Sequence, residues 1–128
     1  MAREKSVDLA VMKLLQERGA WCYKNFSDRR NPSGVPDIVG CYNGIPLYVE
    51  DKRDESHRSD ISFLQKKHLN HITEQGGVGV IAKSASFVKK VLDAIDSPDR
   101  DAELRKLGWK SHGVDEIRDP SWNEETIW

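Results

Sequence analysis

Hydrophobic and polar positions change period several times along this chain, and each change predicts a new element. Apolar residues recur at the i, i+3, i+4, i+7 spacing of one helical face from about Glu4 to Glu17, and Gly19 ends that predicted helix. Alternation from Ala20 to Asn25 predicts a strand. The stretch from Ser27 to Val35 carries two arginines, a proline and a glycine, which favours a loop.

The next two apolar runs form a predicted hairpin. They extend from Asp37 to Tyr42 and from Ile45 to Glu50, and Asn43-Gly44 separates them. Asn-Gly favours a two-residue type I′ turn, because both central residues of that turn need positive φ. A hairpin with one carboxylate near its opening and another on the returning strand brings both carboxylates to the same end.

The following elements alternate between helix and strand. Ser62 is a candidate N-cap for a helix to about Gln75, which Gly76-Gly77 ends. Val78 to Ala82 is a short buried strand, and Ser84 or Ser86 starts a further helix with its own apolar face. The predicted order is α-β-β-β-α-β-α, without internal repeats.

Residues 97–128 differ in character from the preceding chain. Ser97 to Asp101 reads as a break, and Ala102 to Leu107 predicts a brief helix. Three tryptophans follow among acidic residues, and we expect them to pack on the core or on a second subunit; the alternative is a disordered tail. We therefore divide the chain into a domain of residues 1–96 and an acidic extension of residues 97–128.

Length and composition are those of one small domain. The chain has 128 residues and 38% hydrophobic content, enough for one core, and it contains no apolar run of the roughly 20 residues that a membrane span needs. With no signal-peptide pattern, we expect a cytoplasmic protein with reduced thiols at Cys22 and Cys41. His68 and His71 share a helical face, and without further ligands a solvated pair is favoured over a metal pair.

The net charge of -1 is unevenly distributed. Residues 1–90 hold 15 Lys and Arg against 11 Asp and Glu, a balance of +4, whereas residues 91–128 hold 5 against 10, a balance of -5. A basic first part suits a polyanionic partner, since phosphate contacts supply most sequence-independent affinity. An ordinary solvated surface is the alternative.

Three charged residues of the hairpin form the candidate site. Side chains alternate along a strand, so Glu50 and Lys52 point to one face while Asp51 points to the other. Asp37 joins Glu50 at the same end of the hairpin. Two carboxylates and an ammonium at one sheet edge are typical of a divalent-metal site with its own cation, although a structural salt bridge uses the same residues.

The pattern Pro36-Asp37 … Glu50-Asp51-Lys52 resembles the PD-(D/E)XK nuclease superfamily. Its flanks resemble the virus-type replication-repair nuclease family (VRR-NUC), both in Gly34 to Gly40 and in Ile61 to Gln65 followed by Gly76-Gly77. The resemblance covers roughly residues 4 to 95, and Asp51 departs from it because the family more often has an apolar residue there. It implies a restriction-endonuclease-like αβββαβα core, an α/β fold whose central mixed sheet is flanked by helices.

The resemblance also implies a metal-dependent DNA endonuclease. Mg²⁺ or Mn²⁺ would be held by Asp37, Glu50 and the backbone carbonyl of Asp51, which are hard oxygen ligands. Lys52 would orient the attacking water and stabilise the charge that develops on the phosphate.

Two further residues match the family outside the hairpin. Glu4 resembles its N-terminal acidic residue, which completes the site through water or a second ion, and Asp8 one turn later is a rival for that role. A first-turn glutamate favoured by the helix dipole is the simpler interpretation of Glu4. Gln65 resembles the family's glutamine beside the lysine or the scissile phosphate, and a solvated helix residue is its alternative.

Stand-alone members of the family act on branched DNA as homodimers. The resemblance therefore implies a homodimer that cuts Holliday junctions, flaps or forks during replication, recombination or repair. A restriction-like or non-specific nuclease is the alternative within the enzyme class, and a catalytically inert nucleic-acid-binding module is the alternative outside it. The candidate DNA-binding cations flank the motif: Arg29, Arg30, Arg53, Arg58 and Lys66.

Overall fold

The computed structural model describes residues 4–25, 37–51, 63–109 and 117–118. Its helices are α1 (Glu4–Glu17), α2 (Phe63–Glu74), α3 (Ala85–Asp96) and α4 (Arg100–Lys106). Its strands are β1 (Trp21–Lys24), β2 (Ile38–Tyr42), β3 (Ile45–Asp51), β4 (Val78–Ala82) and β5 (Ile117–Arg118). The predicted α/β class, a mixed sheet flanked by helices, is confirmed.

The sheet has the spatial order β1-β2-β3-β4-β5, which is also the order along the chain. Strands β1, β2 and β3 are antiparallel neighbours, and β4 and β5 add in parallel. The parallel steps need crossover connections, which α2 supplies between β3 and β4. Strand β5 was not predicted, since two residues are too short for a periodicity signal.

The two faces of the sheet are covered differently. Helices α1 and α3 pack on one face, where the main hydrophobic core lies. Helix α2 packs on the other face, against β3 and β4, and there Leu69 and Ile81 form a second, smaller core with Tyr48 at its margin. We call these surfaces the α1 face and the α2 face.

The predicted hairpin is confirmed. Asn43 and Gly44 both have positive φ, of 50° and 81°, as a type I′ turn requires. The register pairs Tyr42 with Ile45 and Ile38 with Val49, so these four side chains point to the same face as the main core. This register fixes which face each motif residue takes.

A charged cluster fastens the turn of the hairpin to the helices of the α1 face. Asp96, at the end of α3, accepts hydrogen bonds from Arg18 at 2.8 Å, from the Tyr42 hydroxyl at 2.5 Å and from Asn43 at 3.1 Å. Arg18 also contacts Asp93 at 3.0 Å. The hydrogen bond from Tyr42, then Arg18 and Asn43, lowers the pKa of the Asp96 carboxyl below its ordinary value.

The chain after α3 contributes to the main core. Leu104, Trp109 and Ile117 are all buried there, and the Trp109 indole donates a hydrogen bond to the carbonyl of Gly77 at 2.9 Å. The observed α4 begins two residues before the predicted start of the brief helix. Trp122 and Trp128 lie outside the described residues.

Both cysteines are free thiols, as expected. The register pairs Cys22 with Gly40 and Cys41 with Trp21, so the two sulfur atoms lie on opposite faces of the sheet. Within the described ranges, no helix has the length and apolar character needed to cross a membrane.

Candidate active site

The two carboxylate residues of the motif are joined by a hydrogen bond. The main-chain amide of Asp37 donates to Oε1 of Glu50 at 3.2 Å. Asp37 immediately precedes the Ile38–Val49 pair, so it lies opposite Glu50 across the two antiparallel strands. The prediction that the hairpin brings these two residues together is confirmed.

The site lies at the edge of the sheet that is formed by strand ends, where β1 and β3 end and β2 begins. The amide of Asn25 donates to the carbonyl of Asp37 at 2.7 Å and so extends the β1–β2 ladder by one residue. On the other side, Glu50 pairs with Ile81 of the parallel strand β4. Main-chain hydrogen bonding on both sides therefore fixes the backbone that carries the two carboxylates.

Glu50 is almost completely buried, with 1% of its surface exposed. An ionised carboxylate in such a place loses hydration and needs hydrogen-bond donors or a cation in exchange. The Asp37 amide is one such donor. Asp37 itself is half-buried, so its side chain still meets solvent at the sheet edge.

Glu50 lies on the α2 face. Strand alternation puts it on the same side as Tyr48, and its neighbour Ile81 packs against Leu69 of α2. Asp51 ends β3, where its backbone pairs with Ala82 of β4. Its main chain thus stands beside Glu50, where the sequence placed a carbonyl ligand.

The remaining predicted residues are only partly described. Glu4 is the first residue of α1, and Gln65 and Lys66 lie in the first turn of α2, in agreement with the predicted elements; their side chains are outside the described residues. Other candidates lie wholly outside that part of the chain: Lys52, Arg29, Arg30, Arg53 and Arg58.

Asp8, the rival of Glu4, forms an ion pair with Lys24 of β1. The carboxylate is 4% exposed, and its Oδ1 has no hydrogen-bond partner among the described residues. Lys24 is the last residue of β1 and precedes Asn25, so this pair lies at the same end of the sheet as Glu50, but on the α1 face. Sequence reasoning missed Lys24; a lysine at an inward position of an alternating strand was the available signal.

No protein-family model, curated protein or solved structure matches this chain. The family resemblance therefore depends on the motif residues and their spacing. The hydrogen bond and the strand register that bring Asp37 and Glu50 together bear on function independently of any relative.

Among the described residues, two of the predicted acidic ligands, Asp37 and Glu50, lie opposite each other. No group of three or more His, Cys, Asp or Glu side chains suited to a metal ion is found in the described part of the chain. Asp37 and Glu50 lie on adjacent strands, and their carboxylates are two of the several oxygen ligands that a hard divalent cation requires.

Sequence reasoning also missed an exposed aromatic surface beside the site. Trp21 and Tyr23 are 65% and 49% exposed, and their rings meet edge to face with centroids 5.5 Å apart. They are opposite Cys41 and Val39 of β2, and therefore lie on the same face as Glu50. The sequence shows two large aromatics at alternate positions of a short strand, which puts them on one face but does not indicate whether a helix covers that face.

Near this surface, Tyr48 and Pro46 line a shallow cavity of about 300 Å³ together with α2. His68 and His71 of α2 complete one wall of it with Ile72 and Gln75. His68 is half-buried and His71 is exposed.

Proposed function

We propose that this chain is a metal-dependent DNA endonuclease of the PD-(D/E)XK type, similar to the VRR-NUC family. The observation that carries the proposal is the hydrogen bond from the Asp37 amide to Glu50 at 3.2 Å. It supports the interpretation of the motif as one site, because residues thirteen positions apart meet at an edge where backbone pairing fixes them.

The burial of Glu50 distinguishes it from an ordinary surface ion pair. An exposed ion pair would leave the carboxylate in water, whereas Glu50 is 1% exposed with a main-chain amide as one donor. Keeping a charge in such a place costs stability unless hydrogen-bond donors or an opposite charge offset the lost hydration. A divalent cation at the sheet edge would supply such a charge.

The donor set fits Mg²⁺ or Mn²⁺. Asp37 and Glu50 would hold the ion together with the main-chain carbonyl of Asp51, and all three are oxygen donors. When bound, the ion polarises the phosphate and neutralises the charge that develops during hydrolysis. Glu4 in the first turn of α1 is a proposed further acidic ligand through water.

In this proposal the residues of the chain have separate roles in hydrolysis. The Asp37 amide fixes the carboxylate of Glu50, so the oxygen that faces the substrate needs no reorganisation. In this proposal Lys52 orients the attacking water and stabilises the anionic phosphate, and Gln65 of α2 hydrogen-bonds beside it. The cations Arg29, Arg30, Arg53, Arg58 and Lys66 would hold the DNA backbone.

We infer branched DNA as the substrate and a C2 homodimer as the active form. Paired incisions need two sites at a fixed separation, which an isologous dimer provides. Equal cutting of a four-way junction, a flap and a linear duplex of the same sequence would contradict structure selectivity. Light scattering with and without junction DNA reports the mass, and a strict monomer in both cases would contradict the dimer.

The deciding experiment incubates the protein with labelled DNA in Mg²⁺, in Mn²⁺ and in EDTA. We expect cleavage with either metal and none in EDTA. Lys52→Ala should abolish cleavage while the fold and metal binding persist, and Lys90→Ala at an exposed position of α3, on the other face of the sheet, is the matched control. DNA binding without cleavage under every condition would favour an inert binding module instead.

A further inference from the structure

The exposed aromatic surface is continuous with the candidate active site. The register of β1, β2 and β3 places the residues of this surface in three rows that run across the strands. The row nearest the sheet edge holds Asp37 and Glu50; the next holds Tyr23, Val39 and Tyr48; the third holds Trp21, Cys41 and Pro46. All three rows belong to the α2 face.

Successive rows are about 7 Å apart, since each residue advances the strand by about 3.4 Å. The surface therefore extends about 14 Å from the carboxylates to Trp21, which is about four stacked nucleotides at roughly 3.4 Å each. A polynucleotide whose phosphate lies at Glu50 can place its neighbouring bases over Tyr23 and Trp21.

The chemistry of this surface suits flat apolar rings. Between Trp21 and the carboxylates, its strand positions are aromatic or small and apolar: Tyr23, Val39, Cys41, Pro46 and Tyr48. Helix α2 packs on β3 and β4, and Trp21 on the outer strand β1 stays 65% exposed. Indole and phenol rings stack on any nucleobase, because every base offers a π face.

The margin of the surface on the side of α2 holds two histidines and a lysine, with the exposed acid Glu74 on the same helix. His68 and His71 adjoin Tyr48 and Pro46, and Lys67 is exposed on the same helix. Histidine stacks on bases and lysine contacts phosphates, so His68, His71 and Lys67 suit contacts with a nucleic acid strand. Duplex DNA keeps its base faces inside the stack, and so only unpaired nucleotides can use these rings.

We propose that the surface formed by Trp21, Tyr23 and Tyr48 binds unpaired nucleobases next to the cleaved phosphate. This inference rests on the proposed nuclease function and specifies its substrate: DNA with a single-stranded segment, such as a flap or an open junction. Trp21 and Tyr23 are specificity residues in it, since they contact bases and take no part in hydrolysis.

The test measures binding without catalysis, in EDTA, by the anisotropy of a fluorescent oligothymidylate and of a blunt duplex. Trp21→Ala and Tyr23→Ala should each weaken oligothymidylate binding about tenfold, and duplex binding less than about twofold. Trp21→Phe should restore most of the affinity. Leu9→Ala, which removes another exposed apolar side chain but from α1, is the matched control.

The two cysteines give an independent readout. Cys41 is exposed in the Trp21 row, whereas Cys22 lies on the opposite face, where burial raises the pKa of its thiol. Oligothymidylate should therefore suppress alkylation of Cys41 and leave the slow alkylation of Cys22 unchanged. Labelling of Cys41 at the same rate with and without oligothymidylate would overturn the proposal.

Two other outcomes separate this inference from the nuclease proposal. Metal-dependent cleavage with the same flap-to-duplex preference in the wild type and in Trp21→Ala/Tyr23→Ala would overturn the stacking surface alone. Stacking-dependent binding without cleavage by any metal would support the surface and reject the nuclease. If the double variant instead changes from dimer to monomer in light scattering and binds oligothymidylate normally, the surface is a contact between two copies, and the inference is wrong.

Discussion

The amide of Asp37 donates a 3.2 Å hydrogen bond to the carboxylate of Glu50, and the two residues are thirteen positions apart. The bond spans adjacent antiparallel strands at the open end of a hairpin whose turn is Asn43-Gly44. Because the donor is the main chain, any residue other than proline at position 37 supplies it. A substitution of the Asp37 side chain should therefore leave the Glu50 carboxylate in its position.

The first prediction concerns the two carboxylates. Asp37→Asn and Glu50→Gln should each lower metal-dependent cleavage by at least about 100-fold, since each removes a charged metal ligand worth several kcal/mol to the reaction. The unfolding free energy of Glu50→Gln is measured alongside to show that the variant is folded, since its amide oxygen can still accept from the Asp37 amide. Glu74→Gln, at an exposed position of α2, is the control and should change neither quantity. Full activity in Glu50→Gln would reject the site.

The second prediction concerns the ion pair between Asp8 and Lys24. Lys24→Met leaves the Asp8 carboxylate 4% exposed without this cation, and we expect a loss of about 3 kcal/mol in unfolding free energy. Asp8→Leu/Lys24→Met removes both charges and should recover most of that loss. Urea unfolding of the single and double variants measures the coupling, with Lys13→Met on the exposed side of α1 as control. Additive effects would mean that the pair contributes no coupling.

The third prediction is a pH dependence that arises from Asp96. Hydrogen bonds from Tyr42, Arg18 and Asn43 lower its pKa in the folded protein, so the unfolded chain takes up the proton first as the pH falls. The stabilisation is complete above the ordinary carboxyl pKa of about 4 and is lost as the pH falls through the lower folded-state value. The side chain is partly exposed, which limits the contribution to about 1 kcal/mol or less.

Asp96→Asn should therefore destabilise the protein at neutral pH and flatten the fall in stability below pH 4. Thermal unfolding between pH 2.5 and 7 measures both effects. Asp99→Asn, a neighbouring aspartate whose side chain makes no capping hydrogen bond, is the control. An unchanged acid profile in Asp96→Asn would assign the acid sensitivity to other carboxylates.

The fourth prediction tests how the chain after α3 is attached. Trp109→Ala should cost about 3–5 kcal/mol, because it leaves a cavity in the main core. Trp109→Phe should cost about 1–2 kcal/mol, largely from the Gly77 carbonyl that then lacks its indole donor. Trp21→Phe, at an exposed tryptophan, should change stability by less than about 0.5 kcal/mol. Equal stabilities for all three variants would contradict the packing of Trp109.

The sequence alone determined most of the local structure. Helix α1 has the predicted bounds, the hairpin turns at Asn43-Gly44, and Ser84 caps α3 by accepting from the amide of Phe87. These features depend on side-chain periodicity, on φ preferences and on hydrogen bonds within a few residues, all of which a linear pattern contains. The meeting of Asp37 with Glu50 followed as well, because a two-residue turn fixes the register of its strands.

Contacts between distant segments were decided only in three dimensions. No periodicity indicates that Lys24 neutralises Asp8, that Asp96 joins α3 to the hairpin, or that a two-residue strand at Ile117 extends the sheet. The exposure of Trp21 and Tyr23 was equally hidden, since strand alternation separates two faces without saying which of them a helix covers. Local preferences act within a few residues, whereas burial and charge pairing depend on how whole elements pack, and that packing is what set the aromatic surface beside Glu50.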